Sequence, residues 1–469
     1  MPARNLILLL VVTVASIAAW FARQRDARGQ RLNEVLVLVD AAYIDPVDVT
    51  GLADAAVDGA IATLDEHSAF LRGDGQRELE AALDQQFGGV GLELTIDDRT
   101  GELTVAMPLT GGPAWEAGIV AGDRIKAIDG ASTAGLPLRD AVTRLRGEPG
   151  QTVTLTVASP AEPAAARPAR DVPLVRRVVE IESVQGDRRR ADGSWDWWLE
   201  GEPGVALLRM TGFGERTAAE LDVALSQIAA GQLHAGGAPT PLRGIVIDLR
   251  GNPGGLLTAA IDVCDRFLDD GVIVSTRGRR PTDSVPADDA APDVRRATPG
   301  QAVDGVPIAL LVDGLTASSA EIVAACLQDH DRATVVGGRT YGKGTVQSIL
   351  PLGGGGLLKL TTAEYLRPSG TSINRRPDDA EDAAWGVAPD PGCVVVPTGE
   401  ALDRLARWRR LRDMHPAMTP GSGSVAPRAV DEVLARALDA FPAASAAEPE
   451  LRGEEEAAGD AHEAAPAGV

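Results

Sequence analysis

Apolar residues recur along the chain at two periods, and the changes from one to the other mark out its elements. Leu32, Val35, Leu36 and Val39 within Gln30–Ala42, and Leu52, Ala56, Ala60 and Leu64 within Thr50–Leu64, fall at helical spacing. Leu79–Gln86 reads as a further short helix. Strand signals follow at Val90–Ile96, Leu103–Pro108 and Gln151–Val157, with helical signals at Ala114–Gly118 and Leu138–Leu145. Beyond the Pro/Ala-rich stretch Ser159–Arg170, short strands are expected at Val172–Ile181 and Trp195–Leu199. Strands and helices then alternate: strand Gly204–Met210, helix Thr217–Ala230, strand Leu242–Leu249, a helix running through Phe267, strands Gly271–Arg277 and Pro307–Val312, helix Glu321–Leu327 and strand Ala333–Val336. Continuous apolar strands such as Leu242–Leu249 are the kind found in parallel sheets, and the alternation predicts an α/β core. Val346–Leu350 and Lys359–Ala363 flank Gly353–Gly356 and read as a hairpin. Helical signals at Glu400–Leu411 and Pro427–Ala440 come last, before an Ala/Glu-rich tail, Ser445–Val469, too poor in large apolar residues to build a core.

At 469 residues, 44% of them hydrophobic, the chain has material for two or three domains. A formal net charge of -22 argues against a nucleic-acid partner, whose phosphates need a basic groove. Cys264, Cys326 and Cys393 make no disulfide framework, and Cys264 and Cys326 lie in apolar helical stretches as expected of buried thiols. The five histidines are too scattered for a metal site. Leu6–Phe21 is an uncharged run after Arg4, either a signal peptide or a membrane anchor. Trp20 and Phe21 followed by Arg23 and Arg25 look like an interfacial boundary and favour a retained anchor.

Candidate chemistry concentrates in Asp313–Gln347. A small-residue corner, Thr316 to Ala320, separates an apolar strand from a helix and carries Ser318 and Ser319. A hydroxyl on such a turn can be held in front of a cleft, with the first helical N–H groups free to face developing negative charge. Lys343 follows, set between Gly342 and Gly344 so that its backbone can be approached closely. A phosphate-binding loop would need Ser or Thr directly after the lysine, where this chain has Gly344. The alternative is a serine nucleophile with a neutral lysine as its general base. A second glycine-rich turn, Asp248–Leu257, ends a strand and could expose consecutive N–H groups. His67 and Ser68 read as a helix-ending turn rather than a catalytic pair, and Arg188–Arg190 as a solvated basic turn. Around Asp196, the aromatics Trp195, Trp197 and Trp198 suit either a cleft wall or a packed hairpin.

Thr-Ala-Ser-Ser-Ala-Glu, then Gly-Lys-Gly-Thr-Val-Gln, resembles the carboxyl-terminal processing proteases, tail-specific serine proteases of peptidase family S41 that carry a PDZ domain. Asp248 to Gly255 is similar to that family's oxyanion loop, and Pro113–Ile119, Gly122–Gly130 and Leu145–Gly150 to its PDZ signatures. The resemblance implies Ser318 as nucleophile, Lys343 as general base and Gln347 as the residue orienting the lysine. It implies N–H groups of Gly254 or Gly255 with Ser319 as the oxyanion hole, and Gly89, Val90, Gly91 and Leu92 as the loop that receives a peptide carboxylate. No metal or cofactor is implied. The expected fold class is an α/β protease core with a central β-sheet and flanking helices, an inserted PDZ domain and an N-terminal helical region. The expected organisation is a signal anchor or signal peptide at 1–29, helices at 30–87, the PDZ domain at 88–158, a linker at 159–171, the protease core at 172–397, a helical appendage at 398–444 and an acidic tail at 445–469. Expected partners are a protein or peptide with an accessible C-terminal tail and the bacterial membrane, with room for a homo-oligomer. The implied location is the cell envelope, with a catalytic domain anchored at the inner membrane or free in the periplasm. A catalytically inactive, peptide-binding PDZ scaffold is the competing expectation.

Overall fold

The computed structural model describes residues 29–159, 169–231, 241–278, 293–300, 303, 305–353, 355–376, 378–380, 383–416 and 429–441. The run Leu6–Phe21, most of the Pro/Ala stretch and the acidic tail lie outside the described residues.

The core is a five-stranded sheet in the order Val184–Gln185, Val205–Met210, Gly244–Asp248, Ile308–Val312, Ala333–Gly337. The last four strands are parallel and the first is antiparallel to its neighbour. Side chains alternate between faces at period two. Ala206, Leu208, Ile245, Ile247, Ile308, Leu310, Val312 and Val335 pack against helices Thr217–Ala229, Leu257–Asp265 and Ser319–Asp329. Cys264 and Cys326 are free thiols buried between the last two of these helices.

Val205, Leu207, Val246, Ala309, Leu311 and Val336 point to the opposite face, where Val433, Leu434, Ala437 and Phe441 cover them. The C-terminal helix Glu432–Leu438 is therefore not an appendage, as the sequence suggested, but a part of the core. A parallel sheet with two apolar faces needs cover on both, and among the described residues no earlier helix contributes to this cluster. A pair of charge-assisted forks fixes this helix. Arg250 donates to Asp248 and, through Nη1 and Nη2 at 2.9 Å each, to Asp431, which also caps the helix by accepting from Leu434 N at 3.0 Å. Helix Gly399–Asp413 is docked through fully buried Asp187, which takes Arg409 Nη1 at 3.1 Å and also pairs with Arg412.

The PDZ boundaries also shift. Strand Arg170–Val175 pairs with Thr152–Ala158 and completes the sheet Leu92–Ile96, Leu103–Pro108, Arg124–Ile128, Thr152–Ala158, Arg170–Val175. The Pro/Ala stretch thus connects two neighbouring strands inside this domain and is not a linker between domains. The domain joins the core through a two-stranded ribbon, Gln86–Gly89 against Arg177–Glu180. Just beyond the ribbon, Ile181 N donates to Gln85 O at 2.8 Å.

Trp195, Trp197 and Trp198 are buried in the core, Trp197 and Trp198 as packing residues, while Trp195 also lines a cleft of about 410 Å³ beside Arg189 and Glu182. The basic run beside them is not a solvated turn: Arg188 and Arg190 grip buried Asp196 at 3.1 and 2.9 Å, and Arg189 stacks on Trp195. The helix at 29–42 has exposed Leu32, Val35, Val37 and Leu38, so its apolar pattern finds no core among the described residues.

If the C-terminal helix is part of the core, Leu434→Ala should destabilise the protein by about 2–5 kcal/mol, as expected for a buried leucine. A urea titration should show a lower midpoint with an unchanged slope.

Candidate active site

Strand Ile308–Val312 ends in a turn that delivers Ser318 to the start of helix Ser319–Asp329. Ser318 has φ 57°, in the left-handed region that side chains disfavour. Such a conformation costs about 1–3 kcal/mol and persists only where its surroundings impose it. Here the main restraint is Glu321, one turn into the helix and fully buried. Its Oε2 accepts from Ser318 N and from Lys343 N, each at 2.8 Å. Its Oε1 accepts from Gly342 N at 2.7 Å and Thr340 Oγ1 at 2.6 Å. One carboxylate therefore ties the backbone of the serine corner to that of the lysine loop. Burial pushes the Glu321 carboxyl above its ordinary range, and the four donors pull it back.

Gly342 and Gly344 flank Lys343 for a steric reason. A Cβ on Gly344 would stand 2.2 Å from Asn374 N, and one on Gly342 2.8 Å from Arg375 Cβ. Lys343 leads into the antiparallel hairpin Thr345–Pro351 and Leu357–Leu366. That hairpin and its neighbours present Gln347, Ile349, Lys359 and Tyr365 to a cleft of about 500 Å³, which Ser318 and Lys343 also line. Burial, and after it the ammonium of Lys359, holds the Lys343 amine below the usual lysine value of 10.5. Glu321 and Glu66 act in the opposite sense.

The glycine turn forms another edge of the same cleft. A Cβ on Gly254 would lie 2.7 Å from Ser318 Cβ and 2.9 Å from Ser319 N. Gly254 N donates to Asn252 Oδ1 at 2.8 Å, so that N–H is already engaged. Gly255 N and Ser319 N have no acceptor among the described residues, while Ser319 Oγ donates to Gly255 O at 2.9 Å and closes the turn onto the helix.

Ser318, Lys343, Gln347, Gly254 and Gly255 thus line one cleft, with Ser319 held against the turn. No hydrogen bond joins Lys343 Nζ to Ser318 Oγ. Gln347 turns its amide nitrogen to Thr345 Oγ1 at 2.8 Å and Thr361 Oγ1 at 3.4 Å. Sequence reasoning did not assign a role to Glu321, Tyr365 or Lys359, nor to the wall formed by Leu79, Leu83 and Ile181. For Glu321, the signal available was an acidic residue three places into a helix that starts with serine.

In the PDZ domain, Val90, Gly91 and Leu92 line a groove of about 350 Å³ between the edge strand Leu92–Ile96 and helix Leu138–Leu145. Gly89 is placed differently. It pairs with Arg177 in the connecting ribbon and does not line the groove. Ile181 lines both this groove and the Ser318 cleft.

Comparison with known proteins places these features. A family model for Peptidase family S41 matches residues 204–391, and one for a PDZ domain matches residues 104–159. A "Carboxy-terminal-processing protease" of Bartonella bacilliformis is 36% identical over 365 residues, spanning 78% of this chain and 76% of that protein. The chain belongs to the carboxy-terminal processing proteases. A "Carboxyl-terminal-processing protease" of Picosynechococcus is 33% identical over 76% of this chain and 77% of its own length. Among solved structures, the photosystem II D1 C-terminal processing protease aligns with 82% of this chain and 92% of its own, at 28% identity and a TM-score of 0.41. Membership of this protease family makes the chain a serine peptidase with a PDZ domain, built on a mixed α/β fold.

Gly254→Ala tests the packing of the turn on the serine. The added methyl would displace Ser318 or the turn, and covalent labelling of the serine by a fluorophosphonate should slow by about 100-fold or more. Glu321→Gln turns one acceptor oxygen into a donor facing N–H groups. Stability should fall by about 1–3 kcal/mol in a urea titration.

Proposed function

We propose that the chain is an endopeptidase that cleaves proteins near their C-terminal ends with Ser318 as nucleophile and Lys343 as general base, through an acyl-enzyme. The observation that carries this reading is the convergence of Ser318, Lys343 and the glycine turn on one cleft. A serine hydroxyl becomes a useful nucleophile only beside a base, and a lysine serves as base only when its amine is neutral. Burial and the nearby Lys359 charge favour that neutral form.

In this mechanism Ser318 Oγ bonds to the scissile carbonyl carbon while its proton passes to Lys343 Nζ. The carbonyl oxygen takes up negative charge beside Gly255 N and Ser319 N, which have no other acceptor among the described residues. Collapse of the tetrahedral intermediate breaks the C–N bond, and Lys343 returns the proton to the leaving amine. Water then adds to the acyl-enzyme by the same route and frees Ser318. Gln347 contributes through the hairpin that carries the lysine.

The substrate tail docks as an added strand on Leu92–Ile96, whose outer edge has no partner strand among the described residues. Ile181, shared by groove and cleft, supports a path from one to the other. The uncharged run Leu6–Phe21 supports an enzyme held at a membrane in the cell envelope.

One observation favours the second reading, an inactive peptide-binding scaffold: the serine and lysine side chains are not hydrogen-bonded to each other. Catalytic hydrogen bonds are often formed only when substrate is bound, so activity decides between the two readings. With a tailed protein substrate, the wild type should show turnover, and Ser318→Ala and Lys343→Ala should show essentially none. Lys343→Arg should be equally inert, because a guanidinium does not deprotonate. In the wild type, kcat/KM should rise with pH as the amine loses its proton, with the midpoint below 10.5. Equal cleavage by the wild type and both alanine variants would remove the dyad.

A further inference from the structure

Among the described residues that line the cleft, only Lys343 and Lys359 are charged, and neither Asp nor Glu is present. The chain as a whole carries a formal net charge of -22, so the sign of charge reverses at the site. The two lysines are rooted apart. Tyr365 N donates to Gly344 O at 2.7 Å, which places Lys343 beside that end of the strand. Lys359 lies six positions before Tyr365, about 20 Å back at the usual strand rise. There it pairs with Ile349 on one neighbouring strand and Ala69 on the other, both apolar. Lys359 is half-buried, and its ammonium has no ion pair or hydrogen bond among the described residues. The acidic groups nearby are placed otherwise. Asp65 accepts from the N–H groups of His67 and Ser68 at 2.8 and 2.7 Å and from the Thr361 hydroxyl at 3.2 Å. Glu66 is exposed and lies 3.7 Å from His67, and Glu321 is taken up by its four donors.

We propose that Lys359 is a specificity-determining residue, whose ammonium selects substrates that carry a carboxylate a few residues from the scissile bond. The proposal rests on the assignment of Ser318 and Lys343 as the dyad. In that mechanism Lys343 must be neutral to act as base, which leaves Lys359 as the one charge on the cleft wall. A half-buried ammonium without a partner is poorly solvated, and a carboxylate that reaches it completes a charge-assisted hydrogen bond. An extended peptide advances about 3.3 Å per residue, so the substrate residue over Lys359 stands several positions from the one at Ser318. The carboxylate can come from two sources: an Asp or Glu side chain within the tail, or the α-carboxylate of a tail that ends there. A basic residue at the same place meets like charge and is rejected. Lys359 also acts on the base, because burial and then this ammonium hold the Lys343 amine below its ordinary value. In the free enzyme that effect is the same for every substrate, whereas the contact proposed here separates acidic substrates from neutral ones.

The test uses an internally quenched peptide with an amidated C-terminus, its cleavage site mapped by mass spectrometry. Each residue within about four of the scissile bond is changed in turn to Gln, Glu or Lys. In the wild type, one position should show kcat/KM for Glu about 3- to 10-fold above that for Gln, the range for a partly buried ion pair, and that for Lys below both. A second series, all neutral, moves a free C-terminus through the same positions, and a gain confined to it supports the α-carboxylate as the source. Lys359→Met should bring the Glu-to-Gln ratio to about one, and Lys359→Glu should turn the preference toward Lys, with thermal midpoints showing both variants to be folded. Added NaCl should shrink the wild-type preference, a measurement that needs no variant. No position favouring a carboxylate in either series, or a preference unchanged in Lys359→Met, overturns the proposal. Ser318→Ala and Lys343→Ala separate the two readings: if they cleave the neutral peptide at the wild-type rate, the dyad fails, whatever Lys359 does. If the wild type cleaves none of the peptides, the endopeptidase reading fails, and fluorescence anisotropy then decides for Lys359. Acidic peptides should bind the wild type more tightly than Lys359→Glu, and equal binding overturns the proposal.

Discussion

Four donors converge on the buried carboxylate of Glu321, and the candidate catalytic geometry depends on that convergence. Two of them belong to the lysine loop, one is the Thr340 hydroxyl that leads into it, and one is the backbone N–H of Ser318. Burying a carboxylate is costly unless its lone pairs are occupied. Glu321 therefore stays in place only while the serine corner and the lysine loop are both in register around it. The same contact helps impose the left-handed backbone of Ser318, which nothing in a free chain would favour. Its charge also favours the ammonium form of Lys343, against the needs of a base, and burial and Lys359 counter it.

The sheet on which this rests is closed from far along the chain. Three helices on one face come from the alternating βα pattern, whereas the other face is covered by residues 433–441. Arg250 links that cover to the active-site side, since it sits at the head of the glycine turn and reaches Asp431. Burial on both sides leaves Ile245, Val246 and Ile247 fully enclosed, which is why the strand reads as an unbroken apolar run.

Much of the core was legible in the sequence, because short apolar runs such as Ile308–Val312, bounded by turn residues, read as interior strands and the small-residue corner as a turn. The hairpin after Lys343 and the short PDZ helix Leu138–Leu145 were readable for similar reasons of spacing and glycine placement. Partners distant in sequence were not. Nothing in the local pattern of residues 432–438 says which surface they cover, and the Pro/Ala stretch hides the strand pairing of Arg170–Val175 with Thr152–Ala158. Within the site, Ser318, Lys343 and the glycines stood out by residue type and position. Tyr365 did not, because a tyrosine in a strand is usually packing, and only the fold brings it to the cleft that Ser318 lines.

The paired strands Gln86–Gly89 and Arg177–Glu180 carry the chain out to the PDZ domain and back side by side. At their base, Gln85 and Ile181 are already hydrogen-bonded neighbours. The whole excursion is topologically a single stem-loop on the catalytic scaffold. Its entry and exit share one doorway, so the module could be excised or replaced by another of any size without cutting a strand of the central sheet.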